Sequence, residues 1–160
     1  MCATTPHPPC PYEKKKIVQI RDPVLLCGAC YWLLARDATG LLRMGLWAAL
    51  LHESGHIAVW VLLVHRLPQI RVGLGGLCLQ RQQEELSGLR LLGLAMAGPA
   101  ANLLAAGAVL LVMQHRAGYT GYGFACCNLL LAGFNLLPVP PLDGNYLRLF
   151  LQDKLHLRSK

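Results

Sequence analysis

The sequence predicts an all-α polytopic membrane protein, with about four transmembrane helices, a short glycine-rich β-hairpin at the membrane edge and a last span that breaks before it ends. Three observations carry this expectation. Of the 160 residues, 54% are hydrophobic and only 14% charged, where a soluble domain carries about a quarter charged residues. The apolar residues gather into four stretches, 24–35, 41–64, 89–113 and 122–137, separated by short charged or glycine-rich segments. The last stretch runs into Pro138, Pro140 and Pro141, which a helix cannot accommodate in its interior.

Taken in order, residues 1–21 begin with a proline-rich segment and lack the basic region, apolar core and small-residue cleavage site of a secretory signal peptide. They read as a cytosolic tail. Residues 22–145 form one membrane-embedded domain, since this length supports a single core. The stretches 41–64 and 89–113 each exceed the roughly 20 residues a spanning helix needs; 24–35 and 122–137 are shorter.

Charge distribution bears on the short ones. If all four cross, 12 of the 15 Lys and Arg residues fall on one side and only Arg36, Arg43 and Arg116 on the other. If 24–35 does not cross, the division is seven against eight and carries no orientation. The positive-inside rule therefore favours four crossings with both termini cytosolic. The net charge of +7 is spent on these flanks and forms no continuous basic face, which argues against a nucleic-acid partner.

Residues 69–80 are too polar to span and, with Gly73, Gly75 and Gly76, too glycine-rich for a helix, so a hairpin at the membrane edge is expected. Within 89–113, Gly93, Ala97, Ala101 and Ala105 line up four apart, a small-residue face that lets helices approach closely in lipid. Residues 146–160 combine Leu with basic residues and read as an amphipathic surface helix. The odd count of seven cysteines argues against a disulfide framework, and Cys27 and Cys30 form a CxxC that reads as two small residues on one helix face, with a redox or metal pair as the alternative.

Two of the eight acidic residues, Glu53 and Asp143, lie away from loops and tails. Glu53 sits in the middle of a span, where an ionisable group is costly and marks function by default. The run His52-Glu53-Ser54-Gly55-His56 is an HExxH pattern. Four residues of helix bring a side chain back to within about 40° of its starting direction, so both imidazoles share a face and can bind one zinc ion. Glu53 falls about 60° to the side, the position of a general base. Such a pattern also arises by chance in soluble helices, but three ionisable groups in an apolar span each need a partner.

Catalytic zinc takes three protein ligands, and Asp143 is the candidate third. It follows the proline-rich break, and unwound backbone at membrane depth must be buried in protein or line a cavity. The plainer alternative is that Asp143 caps a turn in Pro-Leu-Asp-Gly.

These motifs, with Gly73 to Gly76, Ala97-Gly98-Pro99-Ala100-Ala101-Asn102 and the Asn135 to Asn145 segment, resemble the site-2 protease family of intramembrane zinc metalloproteases, most closely its small bacterial branch related to a sporulation protease that processes a sigma-factor precursor. The resemblance implies Zn2+ on His52, His56 and Asp143, water activation by Glu53, a membrane-associated protein as substrate and residence in a bacterial cell membrane. It also marks Asn102 and Asn135 as family asparagines able to support substrate or an oxyanion, or equally to bond helix to helix. The larger family members carry a cytosolic regulatory domain or a PDZ domain, for which this chain has no room, so substrate selection is not carried over. Two rivals use the same residues: a non-catalytic zinc-binding membrane scaffold or chaperone, and a metal transporter.

Overall fold

Long apolar runs bounded by glycine and proline become five helices in the computed structural model, which describes residues 18–20, 23–73, 76–80, 86 and 88–158. The helices are α1 (Pro23–Ala35), α2 (Leu41–Val64), α3 (Leu89–Met113), α4 (Tyr119–Asn135) and α5 (Gly144–Arg158). Three short strands complete the order: β1 (Val18–Ile20) before α1, then β2 (Gln69–Gly73) and β3 (Gly76–Gln80) between α2 and α3. The rest of the expected N-terminal tail, and Gly75, lie outside the described residues.

Helices α2, α3 and α4 pack on one another and form the body of the protein; α5 packs on α3, and α1 rests against α2. The distribution of polarity across this bundle is inverted relative to a soluble domain. Its interior holds small residues, Ala48, Ala95, Ala97, Ala106, Ala125 and Ala132, together with His52, His56, Asn102 and Asn128. Its outside is leucine: Leu62, Leu104 and Leu130 are 71%, 75% and 69% exposed. In water that arrangement would forgo most of the available hydrophobic stabilisation. In lipid it is the favourable one, because small residues allow close helix packing and polar groups find partners inside.

Helices α2 and α3, with 24 and 25 residues, are long and apolar enough to cross a bilayer. With 13 and 17 residues, α1 and α4 extend about 20 and 26 Å at 1.5 Å per residue, short of a hydrocarbon core of roughly 30 Å. Helix α4 begins at Tyr119, ahead of the apolar run, and in its first turns Gly121 and Gly123 leave space that Met113 and Met44 fill.

The start of α2 is fixed by its own loop. Gly40 takes a left-handed conformation (φ 77°) before the first turn. The Asp37 carboxylate accepts the Arg43 N–H at 3.0 Å and lies 3.8 Å from the Arg43 guanidinium. Burial works to raise the Asp37 pKa, but N–H donors from Arg43, Leu42 and Gly40, with the Thr39 hydroxyl, outweigh it and hold the carboxyl below its ordinary value. Negative charge at a helix N-terminus is favourable for the same reason.

The buried stripe of α2 is Met44, Ala48, His52, His56 and Trp60, each four residues after the last. A stripe of period four drifts about 40° per step and so winds around the helix. It faces α4 at its start, where Met44 fills the space beside Gly123, and α3 further on, where His56 meets Leu94.

Strands β2 and β3 pair antiparallel, from Gln69 opposite Gln80 to Gly73 opposite Gly76. Beside β2 lies β1, in parallel, with Val18 opposite Ile70 and Ile20 opposite Val72. This pairing draws part of the segment read as a tail into a three-stranded sheet of order β1-β2-β3. Three residues carry too little pattern to announce a strand, which forms only because an open edge of β2 is available.

Candidate metal centre

The spacing of the HExxH run puts His52 and His56 on the buried stripe of α2, with ring centres 4.8 Å apart and planes at 80°. Their Nε2 atoms are 3.2 Å from each other. Asp143 reaches the same point from the far end of α4, its Oδ2 3.1 Å from His52 Nε2 and 3.2 Å from His56 Nε2. Turn bonds bring it there: Leu137 N–H to the Phe134 carbonyl, Val139 N–H to Leu137 and Leu142 N–H to Val139. The loop closes on Gly144, where a Cβ would collide with the Leu136 carbonyl. The aspartate therefore does more than cap a turn.

Helix α3 forms the wall behind the imidazoles. A Cβ on Gly98 would strike His56 Nε2 and come within 2.6 Å of His52 Nε2. One turn along the contact, a Cβ on Gly55 would lie 2.6 Å from the Ala97 carbonyl and 2.9 Å from the Ala101 Cβ. Of the expected small-residue face, Ala97 and Ala101 thus make the close approach, whereas Gly93 is exposed with open space beside it. The face is narrower than the sequence spacing suggests because the two helices meet at one crossing point.

Counting protons shows whether a cation fits. The Leu94 carbonyl, 2.8 Å from His56 Nδ1, can only accept, so Nδ1 carries the hydrogen and Nε2 of the neutral ring presents a lone pair. An ionised carboxylate oxygen also only accepts. With neutral rings, at most one proton, on His52 Nε2, serves a triangle of three acceptors 3.1 to 3.2 Å apart. A divalent cation satisfies all three lone pairs together. Tetrahedral zinc with ligands at about 2.0–2.1 Å needs ligand atoms roughly 3.3 Å apart, close to the separations present. His52, His56 and Asp143 can hold a metal ion.

Glu53 lies beside this triangle, half-buried on α2, and its carboxylate makes no hydrogen bond among the described residues. Asn102 is fully buried, with its amide nitrogen 3.5 Å from His52 Nδ1, the side of the ring away from the triangle. Enclosed there, it packs between α3 and the His52 ring. Asn135 donates to the Leu131 carbonyl of its own helix at 3.0 Å and makes no hydrogen bond to His52, Glu53, His56 or Asp143. Two contributors have roles that the sequence did not show. The Leu94 carbonyl is a backbone group without any residue signature, and Gly98 had a Gly-Pro signal inside an apolar helix that only the packing explains.

No protein-family model and no curated protein matches this chain. Among solved structures it is similar to the Site-2 Protease from Methanocaldococcus jannaschii, with a TM-score of 0.61 and 22% sequence identity over 86% of this chain and 66% of that one. The chain thus spans just under two thirds of that protein's length. The likeness shows the fold.

Proposed function

We propose that this protein is an intramembrane zinc metalloprotease of the site-2 protease family, hydrolysing peptide bonds of membrane-associated protein substrates. One observation carries the reading. The Nε2 atoms of His52 and His56, on a helix of spanning length, and Oδ2 of Asp143, in the loop after α4, converge within 3.2 Å of one another, with Glu53 alongside. Zinc is the metal that best suits two imidazoles and one carboxylate with a position left open, and when bound it supplies a Lewis acid that polarises a carbonyl and acidifies water.

The residues of the chain then have distinct tasks. His52, His56 and Asp143 hold the ion. Glu53 accepts a proton from the attacking water and returns it to the leaving amine nitrogen, which completes hydrolysis with no net proton change. The substrate must be extended at the scissile bond, because a helical carbonyl is hydrogen-bonded and shielded. Strand β3 pairs with β2 on one side, and its other edge offers the backbone groups that an extended segment needs. The charge asymmetry of the loops supports four crossings with cytosolic termini, α1 and the segment after α4 completing the two shorter ones.

Replacing Glu53 by Gln removes the base and leaves the ligands. The variant is expected to bind zinc as the wild type does and to leave a co-expressed membrane substrate uncut, with immunoblotting of membrane fragments as the readout. Cleavage at the wild-type rate by Glu53→Gln would exclude the mechanism.

A further inference from the structure

We infer that Asn102 is a positioning residue for His52, its side-chain carbonyl accepting the Nδ1 proton and so holding the tautomer in which Nε2 faces Asp143. The inference rests on the metal-centre reading above and extends it to the side of the ring that the ligands do not use.

The argument begins with the two imidazoles as a pair. His56 has its Nδ1 hydrogen fixed by the Leu94 carbonyl at 2.8 Å. Among the described residues His52 has no backbone acceptor; the group facing its Nδ1 is the Asn102 amide at 3.5 Å. For His52 to present an Nε2 lone pair to a cation, its one ring hydrogen must move to Nδ1 and find an acceptor there. The amide has one. Asn102 is fully buried and its Oδ1 has no hydrogen-bond partner among the described residues. A half-turn of the amide, which exchanges two atoms of nearly equal size, places that orphan oxygen against Nδ1.

The register of the helix pair makes this a built arrangement. Leu94, Gly98 and Asn102 follow one another at intervals of four on α3, facing His56 and His52 on α2. Leu94 provides the acceptor for one ring, Asn102 the acceptor for the other, and Gly98 the space between. Acceptors behind metal-bound histidines fix ring orientation and raise ligand basicity, and their loss typically costs 10- to 100-fold in metal affinity.

The test uses the full chain purified in detergent and stripped of metal, with zinc affinity measured by competition against a chromophoric chelator. Asn102→Leu keeps the volume and removes the acceptor; Asn102→Asp keeps an acceptor oxygen. The inference expects Asn102→Leu to weaken zinc binding by about 10- to 100-fold, and Asn102→Asp to remain close to wild type. With Co2+ in place of zinc, the visible ligand-field spectrum should change in the Leu variant and be preserved in the Asp variant. Circular dichroism of the metal-free forms checks folding, and Asn102→Ala takes the place of Leu should that variant not fold. Zinc affinity in the Leu or Ala variant equal to wild type overturns the inference, as does an equal loss in the Leu and Asp variants, which would make Asn102 a packing residue only. A wild-type chain that takes up no metal overturns the metal centre itself, and that result needs no variant.

Discussion

Substituting Gly98 by Ala adds a single methyl group at the wall of the metal centre. The new Cβ would sit 2.6 Å from His52 Nε2 and closer still to His56 Nε2, where Cβ atoms in proteins essentially never come nearer than 3.0 Å. His52 Nε2 would have to retreat by about 0.4 Å, twice the roughly 0.2 Å tolerance of a metal–ligand distance. The helices cannot separate freely, because Gly55 already lies against the Ala97 carbonyl one turn away and a shift there would disturb the whole α2–α3 contact. Zinc affinity should therefore fall by at least about 100-fold, the upper end of what changes behind a ligand cost. Fold stability should change much less. Overpacking costs about 1–3 kcal/mol, and replacing Gly by Ala in a helix recovers about 1 kcal/mol. The assay is chelator competition for zinc on the purified chain, beside thermal unfolding of the metal-free form. Gly93→Ala, on the same helix with open space at its Cβ, is the control and should leave both measurements at wild type or slightly improve stability. Wild-type zinc affinity in Gly98→Ala would refute the placement of the ligand atoms against α3.

Other consequences follow from the same contacts. Asp143→Ala removes one of three ligands and should abolish stoichiometric zinc in metal analysis while the helical circular dichroism persists. Gly55→Val drives a branched side chain into the Ala97 carbonyl and Ala101, and thermal unfolding in detergent should report destabilisation of about 1–3 kcal/mol or more; an unchanged midpoint would contradict the close crossing. Asp37 has a folded pKa below its ordinary value of 3.8, so its contribution is present above that value and is lost as pH falls through the lower folded one. Asp37→Asn should accordingly flatten the acid limb of the stability profile, and a profile identical to wild type would show that the carboxylate does not hold the start of α2.

The ends of α2 and α3 were legible because hydropathy and helix length are properties of consecutive residues. Leu41 and Val64 bound one predominantly apolar run, and Leu89 and Met113 another. Helix α4 was less so: its first turn holds Thr120 and Gly121, residues without apolar character, and its glycines pack against Met113 and Met44, contacts distant from the local pattern. Strand β1 was not legible, since its partner lies some fifty residues away in the chain.

For the site, the sequence by itself determined the pairing of His52 with His56, because covalent spacing along a helix fixes the angle between two side chains whatever surrounds them. It also determined that Glu53 would be costly in lipid without a task. Only the tertiary structure decided that Asp143 Oδ2 meets both imidazoles, that Gly98 leaves room for them, that Leu94 supplies one backbone acceptor, and that Asn102 stands beside the Nδ1 side of the His52 ring. Each of these depends on the register between helices distant in sequence, set by where Gly55, Ala97 and Ala101 allow two backbones to touch. Local spacing constrains the angles within one helix and is silent about that register.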